Sequence, residues 1–167
     1  MPEFQTFRNS TPTLGCKERI LWIRGTLGVG KTIMAGYFIE LLKCQYPDAI
    51  VAYFFCRSGQ KGLIKARDII RTLAYQVIQE SPEARLYLES LQHEELPVDD
   101  NVGVGFLFDK LLKEPLATTS KTSFIILDGL DEADRKSLDS TERPKRPEIE
   151  ILLQHLAKSS VVSIVDR

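Results

Sequence analysis

Eight residues near the amino terminus read Gly25-Thr26-Leu27-Gly28-Val29-Gly30-Lys31-Thr32. They fit the pattern G-x-x-x-x-G-K-[ST], in which a glycine-rich loop wraps around a phosphate group. Glycine lets the backbone turn so that successive N–H groups point at one anion. In such a loop the lysine reaches the β- and γ-phosphates, and the final hydroxyl is a ligand for Mg²⁺. The pattern therefore predicts that all eight residues bind a nucleotide, with Lys31 on its phosphates and Thr32 on the metal.

The residues on either side of this loop supply the structural context that the pattern needs. The apolar run at residues 20–23 predicts a strand over residues 19–23 that enters the loop. Residues 31–45 predict a helix that leaves the loop and stops before Pro47. The positive end of that helix would face the same phosphate. A plain glycine-rich turn before a helix is the alternative interpretation, and the strand–loop–helix order favours phosphate binding.

Strands and helices are predicted to alternate along the rest of the chain, which indicates an α/β fold with a parallel sheet. Further strands are predicted at residues 49–55, 123–127 and 161–165. Helices are predicted at residues 65–80, 82–91, 104–113 and 147–158, and the third of these follows a loop that ends in a cap at Asn101. The apolar stripe of the helix at 65–80 is typical of core packing rather than of a cofactor site.

The predicted strand at 123–127 is followed by Asp128, within the segment Asp128-Gly129-Leu130-Asp131-Glu132. Ligands in α/β folds bind at the carboxyl ends of parallel strands, so this carboxylate is a candidate ligand for Mg²⁺ opposite Thr32. Asp131 and Glu132 are candidates for orienting an attacking water molecule, or for dividing that task with support of the metal. Acidic capping of the next segment is the alternative for this pair.

Composition narrows the class of protein. The chain has 167 residues, 43% of them hydrophobic, with a net charge of −1 and a pI near 6.2. This size suggests about one domain with a real core, and the charge gives no support to a nucleic-acid partner. Three cysteines without C-x-x-C spacing and two isolated histidines argue against disulfides and a metal cluster. We find no signal peptide and no membrane span, so we expect a reducing, cytoplasmic location.

The loop, the segment 128–132 and several neighbouring runs together resemble the NACHT domain of STAND NTPases, most closely the fungal and nephrocystin-3-like amino-terminal types. These runs read Leu-Trp-Ile-Arg-Gly at 21–25, Val-Ala-Tyr-Phe-Phe-Cys at 51–56 and Arg-Thr-Leu-Ala-Tyr-Gln at 71–76. The resemblance covers about residues 15–167. It implies a P-loop NTPase three-layer sandwich with sheet order 5-1-4-3-2. Its fifth strand, helical lid and winged helix would lie beyond this chain, which resembles a truncated NACHT region.

The resemblance also implies a nucleotide-sensing arginine after the fourth strand, and Arg167 stands at that position. The sequence departs from the family pattern at Asp166, where serine or threonine is usual, and at Leu27, where proline is common. Residues 1–15 are expected to be a flexible lead-in, and residues 16–167 the nucleotide-binding domain. With strand five outside the chain, the first strand is expected to lie at a sheet edge.

The implied function is that of a signalling switch. ATP or GTP with Mg²⁺ would favour an open, self-associating form, and slow hydrolysis would reset it. Its partners would be the effector and repeat domains of a longer protein. Nucleic acid and membranes are not expected as partners. One alternative is a module that binds nucleotide or only a partner and never hydrolyses. A small-molecule P-loop kinase is a weaker alternative, because no arginine-rich lid lies between Lys31 and Asp128.

Overall fold

The computed structural model describes residues 20–26, 28–56, 65–91, 102–130, 148–159 and 162–166. The strands in these ranges are β1 (Ile20–Ile23), β2 (Ile50–Phe55), β3 (Ser123–Asp128) and β4 (Val162–Asp166). The helices are α1 (Lys31–Gln45), α2 (Ala66–Glu80), α3 (Pro82–Ser90), α4 (Val104–Phe108, Asp109–Lys113 and Glu114–Ala117) and α5 (Glu148–Lys158). Strands and helices alternate as the sequence predicts, with α3 placed directly after α2.

The described strands form one parallel sheet in the order β1-β4-β3-β2. The first and last strands in sequence are therefore neighbours, and β4 lies between β1 and β3. Register pairs Ile23 with Asp166, and Leu127 with Val165. Because all the ladders are parallel, the carboxyl ends of the four strands lie along the same edge of the sheet. Sequence reasoning identifies the strands, and the resemblance supplies their 1-4-3-2 order, which the structure reproduces.

Helices cover both faces of this sheet, as the alternating side chains of β3 demonstrate. Phe124 and Ile126 pack in a cluster with α1, whereas Ile125 and Leu127 belong to the larger core beneath α2, α4 and α5. A parallel strand that is buried on both faces needs an almost continuous apolar sequence, and Phe-Ile-Ile-Leu meets that need. The side chains of this core thus fix the strand that ends in Asp128.

The helix α4 differs from its prediction. It was predicted to end at Lys113, but it continues to Ala117 through a π-helical turn at Asp109–Lys113. Pro115 has no N–H to donate, and its ring conflicts with the carbonyl four residues earlier. The wider π turn accommodates that defect in place of a helix end. Asn101, the predicted cap, lies outside the described residues, and Gly103 is the residue that immediately precedes the helix.

An ionic network surrounds the π turn. The Tyr87 hydroxyl on α3 donates to Glu114 Oε2, and Lys110 Nζ lies 2.9 Å from the same oxygen. These two donors, Tyr87 first, hold the pKa of the Glu114 carboxyl below its usual range. On the neighbouring face, Asp109 Oδ1 lies 3.6 Å from both Lys113 Nζ and His155 Nδ1. The irregular part of α4 is thus tied to α3 and to α5.

The structure bears on two features that the sequence analysis used to predict the compartment, the cysteines and the absence of a membrane span. Cys44 and Cys56 are free thiols, exposed and buried respectively, while Cys16 lies outside the described residues. Within the described ranges, the helices lack the length and apolar character that a bilayer crossing requires. The predicted compartment remains a prediction from the sequence.

Candidate functional site

The glycine-rich loop joins β1 to α1 at the carboxyl edge of the sheet. Gly28 and Gly30 have φ angles of 82° and 88°, in the left-handed region that residues with a Cβ atom rarely adopt. Gly30 is the residue immediately before α1. The two glycines therefore curl the chain from the end of β1 into the first turn of the helix. Leu27 lies outside the described residues.

The first turn of α1 has the electrostatics of an anion site. Its earliest N–H groups have no carbonyl partner within the helix, and the aligned peptide dipoles give this end a partial positive charge. The first helical bond runs from the Met34 N–H to the Gly30 carbonyl at 3.0 Å. No acidic side chain lies in this turn, so no carboxylate competes for the positive end. Thr32 is exposed there, with its hydroxyl within the reach of solvent.

Lys31 and Gly25 face each other across the loop. The Lys31 ammonium donates to the Gly25 carbonyl at 3.0 Å. An ammonium carries three donors, so this bond uses one of them and leaves two for an anion held in the loop. A Cβ added to Gly25 would lie 2.8 Å from Cγ2 of the exposed Val29 and 3.6 Å from Lys31 Cδ. The Lys31 side chain therefore lies across its own loop, close to position 25.

Asp128 ends β3 and is the site's buried carboxylate, with 3% of its surface exposed. Continuing the ladders by one residue puts it level with Asp166 on β4, which in turn pairs with Ile23 on β1. Neighbouring strands lie ~4.8 Å apart, so two steps put Asp128 about 10 Å across the sheet from the end of β1. The structure thus brings Asp128 and the glycine-rich loop to the same edge, as the sequence predicted.

Sequence reasoning missed the role of the next residue, Gly129. Its φ angle is 73°, and an added Cβ would lie 2.6 Å from the carbonyl oxygen of Cys56, just beyond β2. The Cys56 N–H donates to the Asp128 carbonyl at 2.8 Å. This backbone contact requires a glycine, so Gly129 is a positioning residue for the Asp128 carboxylate. A glycine directly after a strand-ending aspartate was the signal in the sequence.

The remaining predicted site residues lie outside the described part of the chain. They are Asp131, Glu132 and Arg167. β4 is described as far as Asp166, so the backbone that leads to Arg167 reaches the carboxyl edge between β1 and β3. The roles of these three side chains stay predictions from the sequence.

Comparison with known proteins shows the family to which this chain belongs. The family model for the nephrocystin-3 amino-terminal region matches residues 1–164, and the chain therefore belongs to that family. It is also similar to vegetative incompatibility protein HET-E-1 of Podospora anserina, with 27% identity in an alignment of 129 residues that covers 71% of this chain. The chain spans 9% of that relative's length. No solved structure matches the chain significantly.

Proposed function

We propose that this chain is the nucleotide-binding core of a NACHT-type STAND signalling protein, with a P-loop NTPase fold. One observation carries the proposal. A loop with two glycines at positive φ leads into a helix whose first turn contains no acidic residue. This loop lies at the same edge of the sheet as the buried Asp128. The described sheet has the order β1-β4-β3-β2. This order agrees with the 5-1-4-3-2 order of the additional-strand P-loop class when its fifth strand is left out.

The loop would hold the phosphates of a nucleoside triphosphate. Its backbone N–H groups and the first turn of α1 supply donors to the phosphate oxygens, and the second and third donors of Lys31 add a charge-assisted contact. Thr26, Gly28, Val29 and Thr32 are exposed, so this rim of the loop is accessible to a ligand. Residues 25–32 therefore form the proposed triphosphate site.

The oxygen donors of this site suit Mg²⁺. Magnesium is usually bound by one or two protein oxygens, with water and substrate phosphates completing its coordination. Asp128 provides a carboxylate at the strand end and Thr32 a hydroxyl at the helix start, and both belong to elements that meet at the carboxyl edge. These two residues would hold the ion, which when bound neutralises phosphate charge. Among the described residues there is no larger cluster of metal-binding side chains.

Slow hydrolysis is proposed to reset the switch. Asp131 or Glu132 would orient the attacking water, and Arg167 would contact the γ-phosphate from the end of β4. Such a switch works because the γ-phosphate makes different contacts in two states of the protein. ATP and GTP are both candidate nucleotides. As the family resemblance implies, effector and repeat domains of a longer protein are proposed partners, with nucleotide-dependent self-association.

The proposal is tested by measuring phosphate release by the purified chain. We expect turnover slower than about one per minute, far below the ~10 per second typical of enzymes. Replacing both Asp131 and Glu132, by Asn and Gln, should abolish that release and spare nucleotide binding, because water positioning acts mainly in the transition state. Rapid hydrolysis that survives both replacements would contradict this assignment. Binding without any release in the parent would favour the non-hydrolysing module.

A further inference from the structure

The strand β2 is the last strand of the described sheet on the side away from the nucleotide loop. It pairs with β3 alone within the described residues. The N–H groups of Ile50 and Cys56 donate to carbonyls at the two ends of β3, so the even-numbered residues face that strand. Backbone groups alternate in direction along a strand. The N–H and C=O groups of Val51, Tyr53 and Phe55 therefore point outward.

One side chain covers the centre of this outward edge. The Gln76 amide on α2 donates from Nε2 to the Tyr53 carbonyl at 2.9 Å, and its Oε1 accepts from the Tyr53 N–H at 2.9 Å. The amide thus presents one donor and one acceptor to a single residue of the strand. A hydrogen-bonded residue of an antiparallel neighbour would present the same two groups to Tyr53. Gln76 therefore occupies the place of a missing strand.

The sequence of β2 explains why such a cover is needed. Its six residues, Ile-Val-Ala-Tyr-Phe-Phe, include no charge, proline or glycine, and five of the six are β-branched or aromatic. Segments of this composition pair readily with identical segments of other chains. An antiparallel pair centred on Tyr53 would let two copies exchange both Tyr53 hydrogen bonds about a twofold axis. Because β2 has no charged side chains, electrostatic repulsion between two β2 strands would not oppose this pairing.

We propose that the outer edge of β2 is a strand-pairing surface for a second copy of this chain, and that Gln76 keeps it closed. The occupant is a second copy because the edge is complementary to itself in hydrogen bonding and every molecule presents the same apolar strand. This surface is separate from the nucleotide loop, so the inference does not rest on the proposed nucleotide binding. Release of the Gln76 amide, rather than a change in β2 itself, is the step that would open it.

The test replaces Gln76 by methionine, which keeps the length of the side chain and removes both hydrogen bonds. Gln79→Met is the matched control, because Gln79 is exposed and lies on the same helix. Light scattering across a concentration series would report the molar mass. We expect Gln76→Met to reach about twice the mass of the parent or more at high concentration, as a twofold pair requires. The parent and Gln79→Met should have equal masses.

A second variant separates edge pairing from aggregation of unfolded protein. Gln76→Glu also loses the bond to the Tyr53 carbonyl, but it leaves a negative charge at the edge, which disfavours strand addition. It should therefore keep the parental mass. Should Gln76→Met not fold, Gln76→Asn carries the same expectation, because its side chain is one methylene shorter and its amide would not reach both groups of Tyr53.

Hydrogen exchange locates the new contact. In the associated Gln76→Met protein, the amides of Val51, Tyr53 and Phe55 should all be protected, with slower exchange at Val51 and Phe55 than in the parent. Association without this protection would overturn the proposal, as would equal association of Gln76→Glu. Parental mass for the folded Gln76→Met protein, or for Gln76→Asn where the Met variant does not fold, would also overturn it.

Discussion

Three glycines hold the backbone angles on which the candidate site depends. Gly28, Gly30 and Gly129 have positive φ, and they are the residues with that property in the described ranges. Two of them shape the loop, and the third lets the chain leave β3 beside Cys56. The sequence pattern assigned the loop glycines to a phosphate site. The sequence also shows a glycine directly after Asp128, but its close approach to Cys56 is visible only in the structure.

Replacing Gly129 by alanine should destabilise the protein by about 2–4 kcal/mol. The left-handed conformation costs a residue with a Cβ about 1–2 kcal/mol, and the 2.6 Å approach to the Cys56 carbonyl adds a steric cost of similar size. Urea unfolding would measure the loss. Gly36→Ala is the matched control, because Gly36 lies within α1 with open space around its Cβ position. It should gain about 0.5–1 kcal/mol. Equal stabilities for the two variants would contradict this reading of Gly129.

Replacing Asp128 by asparagine should weaken nucleotide binding more strongly in the presence of Mg²⁺ than in its absence. The amide keeps the shape of the carboxylate but loses the charge that attracts the cation. Fluorescence titration of a labelled nucleotide, with Mg²⁺ and with a chelator, would compare the two losses. Asp48→Asn, at an exposed turn position, serves as the control and should bind as the parent does. Equal losses under both conditions would mean that Asp128 has only a structural role.

At the scale of elements, helix boundaries were predictable wherever a local signal sets them. α1 ends before Pro47, and the break between α2 and α3 falls at Ser81-Pro82, as predicted. The end of α4 was not predictable, because the proline that usually stops a helix is here accommodated by a π turn. Whether a helix absorbs such a defect depends on tertiary contacts, such as those that Glu114 makes with Tyr87, which sequence spacing does not reveal.

The junction of α2 and α3 supplies an element-scale prediction. The Ser81 hydroxyl accepts a hydrogen bond from the Ala84 N–H at 3.2 Å and is fully buried. Ser81→Ala removes this cap and should cost about 1–2 kcal/mol of the free energy of unfolding, measured in urea. Ser90→Ala, at the exposed end of α3, should change stability by less than about 0.5 kcal/mol. Equal losses of unfolding free energy in the two variants would show that the Ser81 cap does not stabilise the protein.

At the scale of the whole molecule, strand order could not be derived from hydrophobic periodicity. The apolar sequence predicts a strand at the position of β4, but nothing in its residues indicates that it lies between β1 and β3. The family resemblance supplied the order, and the ladders of the described sheet reproduce it. This insertion matters for function, because it directs the end of β4 to the space between the glycine-rich loop and Asp128. Local patterns thus suggested the candidate site residues, whereas the order of the strands that brings their elements together could not be read from those patterns.

The most direct test of the proposed function is an equilibrium titration of the purified chain with Mg²⁺ and either ATP or GTP. We expect at least one nucleotide to bind. Lys31→Ala should weaken that binding by roughly 10- to 150-fold, because a charge-assisted phosphate contact contributes about 1.5–3 kcal/mol. Lys43→Ala, on the opposite end of α1, should bind as the parent does. Failure of the folded parent to bind either nucleotide, or equal binding by Lys31→Ala, would contradict the assignment of residues 25–32 as a phosphate-binding loop.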